Sequence, residues 1–235
     1  MVDMGLTTEE WGIVELSLRV GLWGTLCSLP LAYAAAWLLA RRKFPGKALL
    51  DAILHLPLVL PPVVVGFALL VLFGAQGAIG KLLREWFDFT FAFRWTGAAL
   101  AAGVMGFPLL VRAIRQALES SDTKLEQAAQ TLGAGPWLTF LTVTLPLTAT
   151  GVLHGFVLAF ARALGEFGAT ITFVSNIPGQ TQTLPLAIYT ATQVPDGDAM
   201  VWRMCAISVV LAVATLIFSE VSIRFGNRKA MGHDG

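Results

Sequence analysis

An all-α integral membrane protein of five spans is the fold class this sequence predicts, and three observations carry the prediction. The chain of 235 residues is 56% hydrophobic and 13% charged, with a mean hydropathy of +0.71. Soluble domains average about 45–50% apolar and about 25% charged residues. The apolar residues also gather into runs near the length of about 20 residues that carries a helix across a hydrocarbon core. Finally, Lys and Arg are divided unequally between the segments joining those runs, as the positive-inside bias requires. This composition leaves no length for a large soluble domain. A net charge of +1 says nothing about an acidic partner; no nucleic-acid partner is expected, and lipid surrounds the chain.

The first span is expected at about residues 12–40, followed at once by Arg41, Arg42, Lys43 and Lys47. The second, at about 49–73, carries Pro57, Pro61 and Pro62. Each proline removes a helix donor and disturbs the preceding turn, and such breaks are tolerated in a membrane where the freed carbonyls meet protein or a water-filled cavity. Two readings stay open: a bent helix lining a translocation path, with Pro61, Pro62 and Gly66 on it, or a short helix entered through a proline-rich turn. The third span falls at about 96–111, the fourth at about 147–172 and the fifth at about 201–223. Between the last two, proline, glycine and polar residues rule out an unbroken crossing, although TLPLAIYTA suits a short helix.

Ten Lys/Arg (those of 41–47, 112–124 and 224–229) lie on one side, against Lys81, Arg84 and Arg94 on the other. The first side is then cytoplasmic, the N-terminus outside and the C-terminus inside. Trp11, Trp86, Trp95 and Trp202 stand at expected span ends, where amphipathic rings anchor. The N-terminal MVDMGLTTEEWG is acidic and lacks the basic region of a cleavable signal peptide.

Residues 123–146, TKLEQAAQTLGAGPWLTFLTVTLP, form a cytoplasmic loop with structure of its own. Thr123 and Glu126 have capping-box spacing. Leu125, Ala128, Ala129 and Leu132 fall on one helix face, Gly133 suits a left-handed cap before Ala134, and Pro136 suits the first turn of a following helix. An apolar face of small residues then projects where no bilayer covers it. By helix physics alone it either packs back on the chain's own loops or receives another protein.

Elsewhere, small residues recur every fourth position at Gly151, Gly155, Ala159 and Ala163, and again at Ala98, Ala102 and Gly106. Such stripes let helices pack closely, within a chain or between subunits. Arg162 and Glu166, at i and i+4, lie nearest the membrane interior. They form either a structural ion pair or part of a gate, and the GEFGAT run beside them suits a hinge at Gly165 and Gly168. No nucleotide loop is present: Ala75 and Leu82 replace the glycine and the hydroxyl that Gly80-Lys81 would need. His55, His154 and His233 have no metal or triad spacing, and Cys27 and Cys205 lie inside apolar runs. No catalytic or metal-binding residue is assigned.

Glu126, Ala128, Ala129, Gly133, Val143, Leu145 and Pro146 resemble the EAA loop of the permease subunits of bacterial ABC importers, matching it at every position. That resemblance implies a five-span type I ABC importer permease bundle. Its short loop helix would be the coupling helix, with Leu125, Glu126, Ala128, Ala129, Leu132, Gly133 and Ala134 docking on a cytoplasmic ATPase. From Phe44 to Tyr189 the chain is similar to the permeases of molybdate importers, and sulfate or thiosulfate permeases share the plan. The resemblance implies a homodimer in the bacterial inner membrane, two copies of the ATPase holding ATP and Mg, and a periplasmic oxyanion-binding protein. This chain would bind no cofactor itself. The path or gate would involve Pro61, Pro62, Gly66, Glu166, Gly168, Thr170, Thr172 and Ser175. A membrane enzyme is disfavoured by the absence of clustered His, Asp or Glu; a non-transporting membrane subunit is the reading outside the importer class.

Overall fold

The computed structural model describes residues 6–231, with side chains as far as residue 221. The basic tail at 224–229 therefore lies outside the described side chains. Among the described residues every regular element is helical. The first helix, α1, runs Thr8–Arg41. It starts earlier than the span expectation because Thr7 and Glu10 form a reciprocal capping box, Glu10 N donating to Thr7 Oγ1 at 3.2 Å and Thr7 N to Glu10 Oε2 at 2.8 Å. At about 1.5 Å per residue its 34 residues exceed the roughly 30 Å of a hydrocarbon core.

The expected second span is two helices, α2 (Lys47–Val59) and α3 (Pro62–Phe73), bent by 113°. Two adjacent prolines have no N–H to continue the ladder, and Pro62 forces Pro61 into an extended ψ of 133°. The helix restarts with Pro62 in its first turn, where a missing donor costs nothing. The break that both sequence readings place at these prolines is this bend. The 12 residues of α3 rise only about 18 Å, too little to cross alone.

Helix α4 (Ala78–Phe87) folds back beyond α3, and α5 (Trp95–Ser120) follows. The expectation for this third span stopped at residue 111; the helix continues through Arg112 and Arg115 because nothing breaks its backbone there. After α6 (Thr123–Thr131) comes one continuous rod over Pro136–Leu164. It comprises α7 (Pro136–Thr139), a π turn (Phe140–Thr144) and α8 (Leu145–Leu164). The expected fourth span at 147–172 is thus displaced: its helix begins at Pro136 and stops before Gly165. Short helices α9 (Gly168–Val174) and α10 (Leu184–Ala191) follow, and α11 spans Asp198–Met231. Among the described residues four helices are long and apolar enough to cross a membrane, five crossings if the bent pair counts as one.

Helix α5 is the centre. Of its most apolar window 67% is buried, against 11% for α11, so α11 is left to face lipid or another chain. Gly24 and Gly103 bring α1 onto α5 with no room for a side chain: a Cβ on Gly103 would stand 2.7 Å from the Gly24 carbonyl oxygen. The small-residue stripe of α8 packs inside this chain, Gly155 against Ala113 and Ala159 against Gly106 of α5. Small residues make these approaches possible, and dispersion and close packing hold them in an apolar solvent. Of the four tryptophans expected at span ends, Trp11, Trp86 and Trp202 are exposed, whereas Trp95 is half-buried with the Arg19 guanidinium 4.0 Å over its ring.

Candidate functional site

The loop helix α6 buries none of its nine residues. Leu125 is 49% and Leu132 89% exposed, and Ala128 is exposed between them. Within this chain Leu125, Ala128 and Leu132 are bare, while Ala129 is half-buried, so most of the apolar face is left uncovered by the protein's own loops. Its C-terminal end is a Schellman turn: Gly133 has φ +91°, with Gly133 N donating to Gln130 O and Ala134 N to Ala129 O, both at 3.0 Å. Ala134 is half-buried behind it, and Pro136 opens α7.

The capping box expected at Thr123 and Glu126 is not formed. Asp122 is the N-cap and accepts from Lys124 N at 2.9 Å. The Glu126 carboxylate turns inward instead. Its Oε1 accepts from an Arg41 guanidinium nitrogen at 2.8 Å and from Thr144 Oγ1 at 3.1 Å. A charge-assisted bond to arginine outcompetes a backbone N–H that water can satisfy. Arg41 and Thr144 were not among the sequence candidates; the only signal from Arg41 was its place in a basic cluster. Trp137, 70% exposed beside α6 and stacked on Phe140, was also missed.

A second constellation joins α3 to α9. A Cβ on Gly66 would stand 2.6 Å from Ala169 O and 2.9 Å from Thr172 Cβ, and one on Gly168 would stand 2.8 Å from Pro62 Cβ. Pro62, Gly66, Gly168 and Thr172 therefore share one contact, made possible by two absent side chains. Glu166 anchors it. Its Oε1 accepts the Ala169 amide at 2.9 Å, at the start of α9, and its Oε2 lies 2.7 Å from Arg162. The Glu166 side chain is 1% exposed, so it is enclosed by protein.

The candidate hydroxyls differ in what they offer an anion. Thr170 is buried, and Thr172 Oγ1 donates to Gly168 O at 2.8 Å. Ser175 is exposed, held at φ +64° at the end of α9, and its carbonyl accepts from Thr181 Oγ1 at 3.0 Å. Pro61 is exposed at the bend. The two histidines lie apart, His55 beside Asp51 on α2 and His154 facing Ser219 of α11. Among the described residues no three His, Cys, Asp or Glu side chains cluster to hold a metal ion.

A bundle of broken and continuous apolar helices, with an uncovered short helix between α5 and α7, defines a membrane transport subunit. The chain belongs to the family of binding-protein-dependent transport system inner membrane components, whose model matches residues 28–225. It is 60% identical over 227 residues to the molybdenum transport system permease protein ModB of Escherichia coli K12, covering 97% of this chain and 99% of that one. The sulfate transport system permease protein CysT of the same organism is 38% identical over 201 residues, 84% of this chain and 71% of that one. Among solved structures, a bacterial ABC transporter involved in the import of alginate matches with a TM-score of 0.65 at 15% identity, covering 95% of this chain and 80% of that one. The type I ABC importer permease fold is shared with it.

Proposed function

We propose that this chain is the permease subunit of an ATP-driven importer that carries molybdate, and tungstate with it, across the bacterial inner membrane. The observation that carries the reading is the near-full-length identity of 60% to ModB, against 38% to a sulfate permease. Two copies of the chain form the pore, two copies of a cytoplasmic ATPase bind ATP and Mg beneath it, and a periplasmic binding protein delivers the oxyanion. The apolar face of α6, with exposed Leu125, Ala128 and Leu132 and half-buried Ala129, docks in a groove of the ATPase. Glu126, Gly133 and Ala134 set its angle. The N-terminus is outside and the C-terminus cytoplasmic, by the Lys/Arg bias.

Transport proceeds by alternating access. Closure of the ATPase dimer draws the two α6 helices together, the membrane halves rock, and the α3–α9 contacts separate to admit the anion. The anion path relies on backbone amides and exposed hydroxyls such as Ser175, because few interior cations exist. ATP hydrolysis on the partner subunit returns the assembly.

The test is uptake of labelled molybdate in cells with and without this chain, competed with excess sulfate or tungstate. Uptake that needs the chain, is blocked by tungstate and ignores sulfate is the expected result. Strong competition by sulfate moves the assignment to a sulfate or thiosulfate importer, and failure to co-purify with an ATPase removes the chain from the importer class.

A further inference from the structure

We propose that Arg41 is a positioning residue that fastens the loop helix α6 to α1, so that α6 and α1 move as one body. The proposal rests on α6 being the helix that receives the ATPase. Arg41 is the last residue of α1 and turns inward, 16% exposed, while Arg42 and Lys43 beside it are exposed. One of its guanidinium nitrogens donates both to Glu126 Oε1 at 2.8 Å and to Ser121 Oγ at 2.9 Å. Thr144 Oγ1 donates to the same Glu126 oxygen. One carboxylate–guanidinium pair thereby ties together the end of α1, the end of α5, the middle of α6 and the π turn.

Helix α6 has no fully buried residue, and only Glu126 and Ala129 are half-buried, so packing holds it weakly. Glu126, 19% exposed, is its strongest attachment, and a charge-assisted bond is about twice as strong as a neutral one. A pull on α6 is delivered first to Glu126 and from there to Arg41. A second attachment nearby keeps α1 on the same rod: Tyr33 Oη lies 3.0 Å from Thr148 Oγ1, and its ring meets Phe140 edge-on at 5.4 Å. At its far end α1 is bound to α11 through Glu10 and Arg203 at 2.7 Å. Movement of α6 then crosses the bundle along α1 as well as along the rod over Pro136–Leu164, which is loosened at its π turn.

The experiment uses the whole complex, this chain with its ATPase and binding protein in proteoliposomes, in a Cys27→Ser, Cys205→Ser background. Molybdate taken up per ATP hydrolysed is measured for the background chain, Arg41→Gln, Arg41→Lys, Glu126→Gln and the double variant. The expected result is a loss of at least tenfold for Arg41→Gln and Glu126→Gln, no further loss in the double variant, and retention within threefold by Arg41→Lys. Arg41→Cys with Glu126→Cys is then bridged by a short bifunctional thiol reagent. Restored uptake after bridging is expected, an outcome that simple destabilisation would not give. Coupling within twofold of the background in Arg41→Gln overturns the proposal, as does a bridged complex that remains inactive. A background chain that takes up no molybdate and stimulates no ATPase overturns the importer reading itself.

Discussion

Arg162 and Glu166 face each other at 2.7 Å across the end of α8, the carboxylate enclosed and the guanidinium about one-third exposed. The contact is Coulombic rather than an aligned hydrogen bond, since Glu166 Oε2 has no hydrogen-bond partner. The other oxygen accepts from the Ala169 amide, in the first turn of α9. The pair therefore sets how α9 leaves α8 and, through Gly168 and Ala169, where α3 packs.

Removing only the arginine is the severe change. Arg162→Ala leaves a buried carboxylate without its counter-charge, which costs about 3–5 kcal/mol in a fully buried pair; solvent at Arg162 reduces this to about 2–3 kcal/mol. Arg162→Ala with Glu166→Gln should be more stable than Arg162→Ala alone, because the charge is gone. Thermal unfolding of the purified chain in detergent checks the order, and a double variant less stable than the single one rejects it.

The turn after α6 gives a second expectation. Gly133 sits at φ +91° and donates to Gln130 O. Gly133→Pro fixes φ near −65° and removes that donor, so α6 loses its end and its angle. Gly133→Ala keeps the donor and costs about 1–2 kcal/mol of left-handed strain. Uptake should vanish in the first variant and persist at reduced level in the second, with both chains inserted normally in membrane fractions. Unchanged uptake in Gly133→Pro removes α6 from coupling.

The contact between α3 and α9 has no space for a methyl group at Gly66, since a Cβ there meets the Ala169 backbone. Neither side yields easily: one is a helix and the other a carbonyl. Gly66→Ala should cost about 1–3 kcal/mol by overpacking and hold α3 away from α9. Transport should fall while ATPase activity without binding protein rises. Basal ATPase unchanged alongside normal uptake contradicts a gate at this contact.

The sequence made the helices legible where apolar runs are long, and illegible where polar residues continue them or prolines interrupt them. Helix α5 passes through Arg112 and Arg115 into the polar region because a helix end is set by caps and not by the end of hydrophobicity. The bend at Pro61 and Pro62 was foreseeable as a break, whereas its 113° depends on how α3 packs on α9. The same T-x-x-E pattern occurs at Thr7 and Thr123, yet the box closes only at the first. At the second, Asp122 takes the cap and Arg41 takes the carboxylate. Arg41 and Glu126 are 85 residues apart in the chain, beyond any periodicity window. The loop motif exposed the helix; its attachment needed the fold.

The π turn supplies the last expectation. Pro146 has no N–H for the carbonyl of Thr142, and the ladder slips by one residue so that Leu145 N donates to Phe140 O. One extra residue in a turn displaces everything before it by about 100° around the axis, from 3.6 residues per turn. Thr144, the last residue of that turn, faces Glu126, where its hydroxyl donates at 3.1 Å. Pro146→Ala restores the missing donor and favours an ordinary α-helix, which turns Thr144 away and misaligns α6. The expected outcome is a chain of unchanged or higher thermal stability whose molybdate uptake per ATP falls several-fold. Thr144→Val, which deletes the same hydrogen bond without altering the helix, should show part of that loss. If Pro146→Ala transports normally, the π turn has no role in setting the coupling helix.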